Sequence, residues 1–71
     1  MARVRYNVIV FVSGRSVPLK YRNVAYVDKL LFWVQRNISK YWIYANVYYS
    51  DGKFYRRVYP SDLLVEHDNY R

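Results

Sequence analysis

The stretch YWIYANVYYSDGKFYRRVY, residues 41–59, decides the fold. Asp51-Gly52 between two runs of aromatic and β-branched residues is a strong hairpin signal, because a tight primed turn needs positive φ at both central positions. With Asp51 and Gly52 as a two-residue loop, Ser50 lies opposite Lys53, Tyr48 opposite Tyr55 and Tyr44 opposite Tyr59. Side chains alternate along a strand, so this register splits the segment into two faces. Ile43, Ala45, Val47, Tyr49, Phe54, Arg56 and Val58 face inward. Trp42, Tyr44, Asn46, Tyr48, Tyr55, Arg57 and Tyr59 face outward, and this outer set is far richer in aromatics than a solvated face requires. A three-residue loop of Ser50, Asp51 and Gly52 is the alternative; it turns Tyr55, Arg57 and Tyr59 inward. We favour the two-residue loop because the alternative sets Arg57 against Ala45 in mid-strand, where burying a charge is costly. In the favoured register Arg56 faces inward opposite Val47, so its stem must snorkel past the end of whatever covers that face.

Upstream, Tyr6 to Val12 alternates as a strand, and Ser13-Gly14-Arg15-Ser16 reads as a type II′ turn with Gly14 at its first central position. The return strand is Val17 to Arg22. Tyr6, Val8, Val10, Val12, Val17, Leu19 and Tyr21 then share one face, and Asn7, Ile9, Phe11, Pro18, Lys20 and Arg22 the other. Pro18 has no N–H for a ladder, which makes this second strand an edge. From Val24 to about Ile38 the apolar residues Val24, Val27, Leu31, Val34 and Ile38 recur every three or four positions, the stripe of an amphipathic helix with Asn23 as its N-cap. Its far side carries Tyr26, Lys29, Phe32, Trp33, Arg36 and Lys40. Beyond the second hairpin, Ser61 or Asp62 is placed to cap a short helix; the alternative is a short fifth strand over Leu63 to Val65, and we favour an irregular or single-turn helical tail whose last residues, 68–71, fray.

The order strand, strand, helix, strand, strand predicts one α+β domain over residues 1–71: a four-stranded sheet with one helix packed on one face. Two hairpins joined by a helical crossover suggest a parallel central pair made by the first and last strands, with the other two flanking, and in outline this ββαββ order resembles the β-grasp arrangement.

Composition narrows the function. The chain has 71 residues, 54% of them hydrophobic and only two Gly and two Pro, so it is neither disordered nor linker-rich. Without cysteine and with one histidine, His67, it offers no disulfide framework and no metal-ligand cluster, and no cofactor is expected. The apolar run Val8 to Val12 is short and lacks a small-residue cleavage pattern, and no run approaches the roughly 20 residues of a membrane span. The expected setting is soluble and cytoplasmic, without a membrane partner. Scattered acids, no phosphate-binding glycine loop and no nucleophile–base constellation argue against an enzyme. Residues 52–59 do not match the glycine–aromatic consensus of the RNA-recognition motif.

The net charge is +7, twelve Lys and Arg against five Asp and Glu, which favours a polyanionic partner. Exposed rings interleaved with cations are what single-strand binding uses: bases stack on the rings while cations follow the phosphates. The expected function is a non-enzymatic nucleic-acid-binding module. Tyr44, Tyr48, Tyr55 and Tyr59 are the expected stackers, Trp42 an anchor, Arg57, Lys20 and Arg22 the cations, and Asn46 a reader of base edges. Two alternatives stay open because protein interfaces are also enriched in Tyr, Trp and Arg. One is a protein partner, with this chain as a regulator or inhibitor of the kind viruses and plasmids encode. The other is a homodimer, either through the same face or through Tyr26, Phe32 and Trp33 on the helix.

Overall fold

Val8, Val10 and Val12 alternate with Asn7, Ile9 and Phe11 along the first strand, and in the computed structural model, which describes residues 4–63, all three valines are buried. That strand, β1 (Tyr6–Val12), is central. It pairs antiparallel with β2 (Leu19–Val24) on one side and with β3 (Trp42–Tyr49) on the other, and β4 (Phe54–Val58) pairs with the free edge of β3. The sheet order is β2-β1-β3-β4. Helix α1 (Val27–Asn37) crosses from β2 to β3 and lays Val27, Leu31 and Val34 on the inner sheet face against Val8, Val10, Ala45 and Val47. Each fully buried side chain of this kind contributes roughly 1.5–3 kcal/mol.

The α+β class and the single helix on one face are as the sequence predicts. The parallel central pair of the β-grasp likeness is not formed: β1 and β3 make the centre, and they run antiparallel. The reason lies in β4, whose FYRRV places two arginines in succession and is exposed at four of its five residues. Charged side chains suit an edge, whereas β3 supplies the buried Ala45 and Val47 that a central strand needs.

Several local expectations are corrected. The helix starts at Val27 with Tyr26 as N-cap, so Asn23 caps nothing; it lies in β2 at φ 59. There the register slips between the pairs Val8↔Tyr21 and Tyr6↔Val24, and the Asn23 backbone N–H donates to the Asn7 side chain at 3.4 Å. Such a left-handed residue is typical of a bulge. In the first hairpin Arg15 N–H donates to the Val12 carbonyl, which moves Gly14, at φ 84, from the first to the second central position of the turn. Val17 is exposed ahead of the strand, and β2, as Pro18 requires, is an edge.

The decisive departures are two bulges. Phe11 pairs with Tyr44 but Val12 pairs with Trp42, so Ile43 is the extra residue on β3. Trp42 thereby turns inward and is 3% exposed, while Ile43, expected in the core, is 51% exposed. The indole N–H of Trp42 donates to Gln35 Oε1 of α1 at 3.1 Å, satisfying the one polar group that burial of a tryptophan brings inside. In the second hairpin Tyr49 N–H donates to the Lys53 carbonyl, and Tyr48 pairs with Phe54: the loop is the three-residue Ser50-Asp51-Gly52, with Gly52 at φ 95. A bulge at Tyr55 then restores the two-residue register, and Val47↔Arg56, Asn46↔Arg57 and Ala45↔Val58 follow. Phe54 and Tyr55 have consequently exchanged faces. Arg56 remains opposite Val47 and reaches the first turn of the helix, where it meets Asp28 at 3.7 Å.

After β4, residues 60–63 form a helical turn. Pro60 takes its first position, where a missing N–H costs nothing, and Asp62 Oδ2 accepts the Tyr59 N–H at 2.8 Å, so Asp62 caps from inside the turn and Ser61 does not cap it. Leu63 belongs to this helical turn and is buried, so the alternative fifth strand does not begin there. The possible strand residues Leu64 and Val65 and the frayed end, 68–71, lie outside the described residues.

The Ile43 bulge has a measurable consequence. Trp42→Ala is expected to cost about 3–5 kcal/mol of stability, and Ile43→Ala within about 0.5 kcal/mol of zero. Urea unfolding followed by circular dichroism checks this, and equal losses would put Ile43 in the core.

Candidate nucleic-acid interface

On the sheet face away from α1, strict pairing arranges side chains in rows across the strands. The middle row is Lys20, Ile9, Asn46 and Arg57, each paired with the next. It begins and ends on a cation. One aromatic row flanks it: Phe11 and Tyr44 with ring centroids 4.9 Å apart, then Tyr44 and Tyr59 at 6.1 Å. The row on its other side holds Asn7, Tyr48 and Phe54, the last two rings meeting edge-on at 5.7 Å. Rows two residues apart along a strand lie about 7 Å from each other. A shallow depression of about 270 Å³ opens beside the middle row, lined by Asn7, Ile9, Lys20, Arg22, Tyr48 and Gly52 among others. No described element packs over this face, and the buried cluster lies on the α1 side.

Arg57 is the organising side chain. Its Nε–H donates to Asn46 Oδ1 at 2.8 Å, and its guanidinium carbon lies 4.1 Å from the centroid of the Tyr44 ring. The hydrogen bond fixes the fork and the ring faces it, a cation–π contact of about 0.5–1 kcal/mol at an exposed site. Arg57 itself is exposed. A planar group arriving here meets guanidinium stacked on phenol rather than a bare ring.

Of the nine residues expected on this surface, Tyr44, Asn46, Tyr48, Arg57, Tyr59, Lys20 and Arg22 share it. Trp42 and Tyr55 do not. Trp42 is in the core, turned there by the Ile43 bulge. Tyr55 lies on the helix side, stacked on Tyr6 at 5.2 Å with an interplanar angle of 15° and next to Tyr49 at 4.9 Å. Its place is taken by Phe54, 55% exposed, which strict alternation had put inside. The signal for this exchange was Gly52, since a three-residue loop ending in a left-handed glycine shifts Phe54 by one position. The helix aromatics separate too: Trp33 sits edge-on to Tyr21 of β2 at 6.5 Å, whereas Phe32 shares a cleft with Tyr55 and Arg56 toward β4.

Among the described residues there is no group of three or more His, Cys, Asp or Glu placed to hold a metal, and no helix is long and apolar enough to cross a membrane. Comparison of the chain with protein-family models, curated proteins and solved structures finds no match.

The Arg57–Asn46 bond predicts a resolved, slowly exchanging Arg57 Nε–H resonance in a proton–nitrogen NMR spectrum. Asn46→Ala should speed its exchange while changing stability by no more than about 0.5 kcal/mol.

Proposed function

We propose that the chain is a nucleic-acid-binding module whose outer sheet face takes single-stranded or unpaired segments of RNA or DNA. One observation carries this reading: two aromatic rows flank a polar row that ends in a cation on each side, on a face no described element covers. Adjacent rows stand about 7 Å apart, so the two aromatic rows are about 14 Å apart, roughly four times the 3.4 Å rise per nucleotide of a stacked strand, which suits bases splayed onto separate platforms. Tyr48 with Phe54 offers one stacking place. The Arg57-on-Tyr44 pair with Tyr59 offers the other, because unpaired bases stack on guanidinium planes as well as on rings. Lys20, Arg22 and the outer nitrogens of Arg57 meet phosphates at the margins. Asn46 spends its oxygen on Arg57, which leaves its amide N–H groups for a base edge. None of this needs a groove-entering helix, and the chemistry is binding, not turnover.

Self-association through the same face is the second reading, favoured by Phe54 and Tyr59, which are 55% and 46% exposed at the two ends of the edge strand. Sedimentation equilibrium separates the two, since a dimer burying this face excludes the strand.

Titration of a short fluorescent single strand at several salt concentrations tests the leading reading. Three cations in contact predict a slope of log K against log salt of about −2. Tyr48→Ala and Tyr44→Ala should each weaken binding by roughly 1–3 kcal/mol. A slope near zero, or no binding in 50 mM salt, removes the sheet face as a nucleic-acid surface.

A further inference from the structure

On the opposite side of β4, between the first turn of α1 and the sheet, lies an open cleft of about 550 Å³. Its walls are rings: Tyr6 and Tyr55 from the sheet, Tyr26 and Phe32 from the helix side. Two cations belong to it, and each is held over a wall ring. Lys29 Nζ lies 4.8 Å from the Tyr26 centroid, and the Arg56 guanidinium carbon 5.9 Å from that of Tyr55. The volume falls within the range of small-ligand sites, roughly 300–1,000 Å³.

We propose that this cleft is a separate binding site for a phosphorylated nucleoside. An aliphatic anion leaves the ring walls unused, and an uncharged aromatic leaves Lys29 and Arg56 unused. A planar base joined to a phosphate uses both, with the base against the ring walls and the phosphate at the two cations. Asp28 is the opposing element. Its 3.7 Å contact with Arg56 joins two side chains that are each about half exposed, a pair of small net value that a phosphate displaces readily. The tyrosines here were brought together by the Tyr55 bulge and by β1, so the site exists only because Tyr55 left the outer face. It does not depend on what the outer face binds.

The ligand chemistry has two sources, a free nucleotide or the phosphorylated end of a strand. Backbone amide shifts of the labelled protein are followed during titration with adenosine 5′-monophosphate, adenosine, inorganic phosphate, and a short oligonucleotide carrying either a 5′-phosphate or a 5′-hydroxyl. Perturbations should centre on Tyr6, Phe32 and Tyr55 and be strongest for the monophosphate. The phosphorylated oligonucleotide acting at lower concentration than the monophosphate identifies a strand end as the source; the reverse identifies the free nucleotide. Lys29→Ala and Arg56→Gln should each weaken the monophosphate about tenfold, Asp28→Asn should tighten it about threefold by removing the opposing charge, and Tyr44→Ala should leave it unchanged. Lys29 is exposed, so its variant keeps the test sound if a tyrosine variant unfolds. The proposal is overturned if the cleft amides do not respond, if the shifts map to Tyr44 and Arg57 instead, or if phosphate or adenosine alone acts as strongly as the monophosphate.

Discussion

The contact of Leu31 and Val34 with Val8, Val10, Ala45 and Val47 is the interaction on which the rest depends. Among the described residues one long helix, of 11 residues, serves a four-stranded sheet, and a helix covers one face. All apolar burial is therefore concentrated on that side, and the other face must be stable while facing water. It manages this with rings supported by neighbouring rings and with a polar middle row, so that area is shielded laterally without a second layer. The edges obey the same economy. β2 begins after a proline and is interrupted at Asn23, and β4 is short, bulged and doubly charged, which blunts both against strand addition.

Within that frame the two bulges sort the aromatics. Each inserts one residue and exchanges the faces of two neighbours: Trp42 goes in and Ile43 out, Phe54 goes out and Tyr55 in. The Trp42 exchange is driven from the helix, where Gln35 supplies the acceptor that a buried indole requires. The Tyr55 exchange reconciles two demands that no single register meets. The Ser50-Asp51-Gly52 loop fixes Tyr48 opposite Phe54, while further along Arg57 must face Asn46 outward and Val58 must face the core. One unpaired residue absorbs the difference.

Much of this was legible in the sequence. Alternation in β1, the helical stripe at Val27, Leu31 and Val34, the edge position imposed by Pro18 and the outward direction of Tyr44, Asn46, Tyr48 and Arg57 all follow from periodicity. So does the awkward inward Arg56, whose snorkelling ends at Asp28. What alternation hides is any place where periodicity is broken on purpose. Trp42-Ile43 is apolar at both positions and Phe54-Tyr55 aromatic at both, so neither pair tells from its own composition which residue points in. The choice rests on contacts distant in sequence. The strand order departs from expectation for a different reason: element order alone does not set it, whereas the adjacent arginines of β4 speak for an edge.

Those arginines also tie the two surfaces together. Arg57 projects to the outer face and Arg56 to the cleft, and only the thickness of one strand separates the backbone from which they spring. Each guanidinium is held by its own surface, Arg57 by Asn46 and Tyr44, Arg56 by Asp28 and Tyr55. Were the register of the loop to continue past Tyr48↔Phe54 without the bulge, Arg57 would face the core opposite the buried Ala45, where an unpaired charge is costly. The unpaired Tyr55 is therefore what lets two adjacent arginines both keep water while serving opposite faces of one strand.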